Sequence, residues 1–281
     1  MLLRELAKTC EVVACATLGD PERRLELRQR FPSVPVVTDL AAMLSAPQID
    51  AIAVATPIES HAVLARRSLE AGKHVFVEKP LANRVDDAIG LAELAAQAKR
   101  VLFTGHVLLF HPVCEALQVL TATDPLVSMR ASWRKLGTFD ADILWNLGSH
   151  IVALALAMFG GAPARAEVAM RLPVVTTCDL LRARLEWGDG RHCEIEIDRC
   201  SPVRSRTVTC VTSSGRVLCW ADDALFELAS DRRYEPIVVP GTSPLEREVD
   251  AFRGLVALGT SAVEAAFAVD VVRILARMES A

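Results

Sequence analysis

Three short segments of this sequence carry side chains that can move a proton. Thr56-Pro57 ends the apolar run IDAIAVAT, and His61 follows shortly after. Glu78-Lys79-Pro80 follows a second apolar run, HVFV. A Glu and a Lys directly behind a buried strand put an ion-capable pair at its carboxyl edge, where open α/β sheets hold their ligands. His150 opens an apolar stretch behind WNLGS, and His106 and His111 flank VLLF. His, Lys and Glu are the usual general acids and bases. Each segment also has a plainer reading. Thr56-Pro57 can be a strand-ending turn, Glu78 and Lys79 a solvated ion pair, and His150 a satisfied core residue. His74 reads as an ordinary strand residue.

The elements that must position these groups follow from periodicity. EVVACAT (11–17) reads as a strand, and 21–30 as a helix with Asp20 as its cap and Pro21 first inside it. A short strand at 36–38 precedes a helix capped by Asp39. IDAIAVAT (49–56) has no polar face, as expected of a parallel strand covered on both sides. A helix over 58–71 stops at Gly72, a strand runs over 74–80, a helix over 85–98 and a strand over 101–106. Strict alternation predicts βαβ units and a Rossmann-like, doubly wound parallel sheet in residues 1–122. Residues 123–281 differ. One apolar helix over 144–159 precedes strands at 164–171, 178–187, 191–199, 205–212, 215–220 and 234–239. Turn signals at Gly188-Asp189-Gly190 and Ser213-Ser214-Gly215 separate some of them. This predicts a second domain with a large, mainly antiparallel sheet, closed by helices over 244–258 and 263–278.

The composition excludes several classes. The chain has 281 residues, 31 basic and 35 acidic side chains, and a net charge of −4. A nucleic-acid binder would normally be basic. Hydrophobic residues make up 52%, too many for a disordered chain. The longest apolar run, 151–162, is far short of the roughly 20 residues that span a bilayer. No secretory segment opens the chain, so a cytoplasmic location is expected. The eight cysteines form no CxxC pair and read as reduced, small hydrophobes, with no metal site expected. Two-faced alternation in EIEID (194–198) and RTVTCV (206–211) predicts a homodimer or homotetramer joined through the outer face of that sheet.

The segment AIAVATPIESHAVLARRSLEAGKHVFVEKPLA (51–82) resembles the Gfo/Idh/MocA oxidoreductase family. The resemblance continues through TGHVLLFHP (104–112), WNLGSH (145–150), the WGDGR turn and the closing helices. It is most similar to the branch acting on nucleotide-linked acetamido sugars, the UDP-N-acetylglucosamine-uronate 3-dehydrogenases. The resemblance implies a nicotinamide cofactor, NAD or NADP, and a sugar or sugar-nucleotide substrate. It implies that Thr17, Thr56, Pro57, His61, Glu78, Lys79 and Pro80 line the cofactor site, with a cis bond between Lys79 and Pro80. Lys79, His150 and Asn146 would be catalytic, and His106, His111 and Trp145 would face the substrate. His150 would take a hydroxyl proton while Lys79 polarises the same oxygen or relays the proton.

Three departures from the family pattern bear on function. Thr17 stands where an NAD-binding relative often carries an acid for the ribose. Asn146 replaces the acid of D-x-G-x-H, and an amide can neither act as a base nor raise a neighbour's pKa as a carboxylate would. The dinucleotide loop G-x-G-x-x-G is absent from the 281 residues. MLLRELAKTC resembles the helix that follows that loop in relatives. Either the strand and loop lie upstream of Met1, or this is a degenerate member acting as a silent binding or scaffold subunit. Without that strand, the strands at 11–17 and 49–56 should face a gap with unpaired backbone groups.

Overall fold

Apolar β-branched runs build the parallel strands of the first part of the chain, and period-two alternation builds the wide sheet of the second. The computed structural model describes residues 2–17 and 21–280. The first part contains α1 (Leu2–Thr9), β1 (Cys15–Ala16), α2 (Pro21–Arg30), β2 (Val36–Val37), α3 (Leu40–Ser45), β3 (Ala51–Val54), α4 (His61–Glu70), β4 (His74–Glu78), α5 (Val85–Ala98), β5 (Leu102–Gly105) and α6 (Pro112–Thr121). Then come β6 (Leu126–Arg134), α7 (Ser149–Phe159), β7 (Arg165–Leu172), β8 (Leu180–Glu186), β9 (His192–Asp198), β10 (Ser205–Thr212), β11 (Val217–Ala221), β12 (Ala224–Leu228) and β13 (Tyr234–Ile237). α8 (Pro244–Leu258) and α9 (Ala262–Ser280) close the chain.

The parallel strands form two separate sheets, β1-β2 and β3-β4-β5. Among the described residues β1 pairs only with β2, and β3 only with β4, so each keeps one free edge. The sequence anticipates this break. It also overestimates β1, which is two residues long rather than seven. A strand with one short partner has little to extend along. Asp39 caps α3, accepting from Ala42 N at 3.0 Å. Asp20, expected to cap α2, lies outside the described residues.

The second sheet has eight strands in the order β13-β12-β11-β10-β6-β9-β8-β7. Its pairs are antiparallel except β6 with β9. β6, β12 and α6 are absent from the periodicity reading. β6 runs LVSMRASWR, where small and charged residues dilute the alternation of Met129, Ala131 and Trp133. The apolar stretch over 144–159 is helical, opening with a π-helical segment, Leu144–Gly148, before α7. α7 lies buried against the inner face of the large sheet. α9 packs against α5, β5, α7 and β7, and so joins the parallel strands to the large sheet.

Candidate active site

The carboxyl ends of β3 and β4 open into a cleft of about 610 Å³. Thr56, Pro57, His61, Glu78, Lys79 and Pro80, the residues that the resemblance assigns to a cofactor, all line it. Its other wall comes from the 140–146 segment and from Glu279 at the end of α9. His61 ties two rims together, with Nδ1 2.8 Å from Pro80 O and Nε2 2.8 Å from Thr56 O. The Lys79–Pro80 bond is cis. Thr17 sits at the end of β1, its amide donating to Val37 O at 3.1 Å, and does not line this cleft.

Lys79 is the centre of the arrangement. Its Nζ donates to Asn146 Oδ1 at 2.9 Å and to Asn146 O at 3.0 Å. Asn146 therefore holds the amine from the opposite wall. Asp142 fixes that wall, accepting from Leu144 N at 2.8 Å and Trp145 N at 3.0 Å, as a capping carboxylate does at a helix start. Burial pushes the Lys79 ammonium down to about 8, Glu78 pulls it back up and Lys135 presses it down. Burial also raises Glu78, against the pull of Lys79.

His106 and His150 stand on the far side of Lys79. Both are pushed down, first by burial and next by the Lys79 charge: His106 to about 3, and His150 well below the ordinary histidine value. Among the described residues neither ring nitrogen of His106 has a hydrogen-bond partner, nor does His150 Nδ1. The site thus brings Lys79, Asn146, His106 and His150 together. A neutral imidazole held so far down is a poor proton acceptor, whereas an amine near 8 is matched to neutral pH.

His111 lies outside the residues that line the cleft, whereas Trp145 is among them. His111 accepts from Val113 N at 3.2 Å, capping α6, and meets Asp223 Oδ1 at 3.2 Å. Trp145 is buried on the cleft wall, its indole N–H donating to Glu279 Oε1 at 3.0 Å.

Some of the groups that shape the site carry weak sequence signals. Arg199 and Asp179 form a buried pair, 2.9 Å apart. Arg199 Nη1 also donates to Thr138 O at 2.9 Å and Ala141 O at 2.6 Å. The pair thereby holds the segment leading to Asp142. Burial opposes ionisation of Asp179, but the Thr176, Val175 and Val174 donors hold its carboxyl well below the usual range. Nothing in DRC or CDL marks these residues as partners across β8 and β9. Asp142, three residues ahead of Trp145, is a readable cap signal.

Residues 3–106 match the model of an oxidoreductase family with an NAD-binding Rossmann fold, GFO_IDH_MocA. UDP-N-acetylglucosamine 3-dehydrogenase of Acidithiobacillus ferrooxidans is 28% identical over 177 residues, 62% of this chain and 54% of that protein. The chain spans about half the length of that curated relative. The crystal structure of the same enzyme superposes with a TM-score of 0.89 at 18% identity, covering 99% of this chain and 92% of that one. KijD10, a 3-ketoreductase from Actinomadura kijaniata solved with NADP and TDP-benzene, gives 0.86 at 20% identity, covering 99% and 92%. The Thr56-Pro57, His61 and Glu78-Lys79-Pro80 rim lies inside residues 3–106, the part of this chain that is similar to the Gfo/Idh/MocA oxidoreductase family.

Proposed function

We propose that this protein is an NAD(P)-dependent oxidoreductase acting on a hydroxyl or carbonyl of a sugar or sugar nucleotide, with residues 1–122 as the cofactor domain. The observation that carries this reading is Lys79, an amine near 8 held by Asn146 between a polar cleft and a pair of neutral histidines. A relative named for a UDP-linked sugar and a fold neighbour solved with TDP-benzene support the substrate class.

The cleft fits the nicotinamide half of the cofactor. Thr56, Glu78 and Asn83 line it with hydroxyl, carboxyl and amide groups, and Pro57, Ile58 and Pro80 give it apolar walls. Bound there, the cofactor supplies or accepts the hydride. The protein's own part is proton transfer. Lys79 takes the proton from the substrate hydroxyl, and Asn146 fixes the amine by two acceptors. His106 and His150, kept neutral, donate to substrate oxygens without competing for the proton. Incubation with millimolar NAD or NADP and a panel of UDP- and TDP-sugars, followed by nicotinamide absorbance, tests the reading. Binding of a sugar nucleotide with no hydride transfer under any condition would instead favour the silent subunit.

Two outcomes are expected here. In the oxidation direction kcat should rise with pH through about 8, because Lys79 must lose its proton first. Asn146→Asp places a carboxylate on the Lys79 ammonium, favours the charged form and moves that limb to higher pH. A pH–rate profile that stays put in the variant would exclude Lys79 as the base. The 281 residues also contain no glycine loop to cradle a pyrophosphate. Calorimetric titration of this chain should therefore read NADH and NADPH weaker than micromolar, and tighter binding would mean that other groups hold the phosphates.

A further inference from the structure

Along β10, Val208, Cys210 and Thr212 are buried on the inner face, and Arg206 continues that phase. Cross-strand register sets Arg206 opposite Trp133 and Val208 opposite Trp220. The guanidinium lies over both indoles, 5.8 Å from the Trp133 ring centroid and 5.1 Å from that of Trp220. Trp133 in turn packs on the His150 ring at 5.1 Å. Arg206 therefore stands one ring away from the proton-transfer rim.

Its hydrogen bonding is incomplete. Nη2 donates to Asp222 O at 2.6 Å, while Nε is buried with no partner. The nearest carboxylate oxygen, Asp223 Oδ1, is 3.7 Å away on a side chain that is 90% exposed. Burial first, and then the charges of Lys79, His106, Arg206 and Lys135, push His150 down, in a chain whose net charge is −4. Aromatic faces fix the plane of an arginine, and its fork matches the paired oxygens of carboxylate and phosphate. A partly buried guanidinium with a free donor is costly until such an anion arrives.

We propose that Arg206, one indole away from His150, forms an anion seat that takes an oxyanion of the substrate. This deepens the reading of the protein as a sugar oxidoreductase and rests on it for the word substrate. Two parts of a sugar nucleotide offer that chemistry, the diphosphate of the carrier and the carboxylate of a hexuronate.

The test is binding to the 281-residue chain without cofactor. The probes are UDP, glucuronate and, as a neutral control, methyl glucoside, titrated by ligand-observed NMR. An anionic probe should bind the native protein and lose about tenfold to a hundredfold in Arg206→Gln, the scale of one charge-assisted contact. Arg206→Lys should recover part of that loss, and methyl glucoside should be indifferent to both variants. Arg206→Met, which keeps an unbranched stem between the two indoles and removes the charge, gives a second reading if Arg206→Gln does not fold. UDP responding alone assigns the seat to the diphosphate, and glucuronate alone assigns it to the carboxylate. The proposal is overturned if neither anion binds, or if binding is unchanged in the charge-removing variants. Arg206-dependent binding without hydride transfer would leave the seat standing and sink the oxidoreductase reading. Turnover of neutral sugars untouched by Arg206→Gln would do the reverse.

Discussion

Lys79→Ala is expected to lower kcat by about 10²–10⁴-fold, the usual scale for losing a positioned acid–base group. The amine is buried, faces two acceptors on Asn146, and carries a proton only loosely at neutral pH. Alanine removes the base and leaves the neighbouring histidines too far down to replace it. Lys79→Arg should not restore activity, because a guanidinium keeps its proton. KM for the sugar should move only a few-fold, since one amine supplies little contact area. Steady-state kinetics at saturating cofactor decide the matter. A variant within about tenfold of native kcat would remove Lys79 from the chemistry.

Glu248→Gln is expected to stabilise the fold at pH 7.5 by on the order of 3 kcal/mol and to leave it unchanged at pH 4. Glu248 lies on α8 with no exposed surface and no partner for either oxygen. It abuts the backbone at Gly105, where even an added methyl carbon would come within 3.0 Å of the Phe76 ring. Burial, helped by the nearby Glu78 charge, raises its carboxyl from 4.5 to about 9. The native state therefore keeps a proton that the unfolded chain releases. The stability associated with the neutral carboxyl is full below about 4.5 and is lost as pH rises towards 9. Glutamine keeps the shape and removes the titration. Urea unfolding at the two pH values measures the difference, and equal stabilities at pH 7.5 would show that Glu248 is hydrated or paired in solution.

The parallel strands and the cleft rim were legible because their signals are local. Apolar runs end in Thr56-Pro57 and Glu78-Lys79-Pro80, and each end becomes a wall of the cleft. The 144–159 helix and most outer strands followed from period alone. Roles were harder to read than places. The resemblance marks His150 as a base; in the fold burial first, and then the charges of Lys79, His106, Arg206 and Lys135, push its imidazole well below the ordinary value, and no local signal announces that. His111 resembles a ligand residue and is a helix cap. Arg206 did leave a trace, an arginine in the inward phase of RTVTCV. Its meaning depends on Trp133 and Trp220, which reach it only through the register of β6 and β11.

The break between the two parallel sheets has a consequence for amide exchange. Among the described residues the Cys15 and Thr17 amides are bonded only to Pro35 O and Val37 O, in a ladder two residues long. Val75, Phe76 and Val77 lie fully buried in β4, with partners on both sides. Opening the first ladder breaks few bonds and exposes little apolar surface, so its protons exchange through local opening while those of β4 wait for global unfolding. Protection at Cys15 then becomes a sensitive reporter, rising as soon as anything pairs with the free edge of β1.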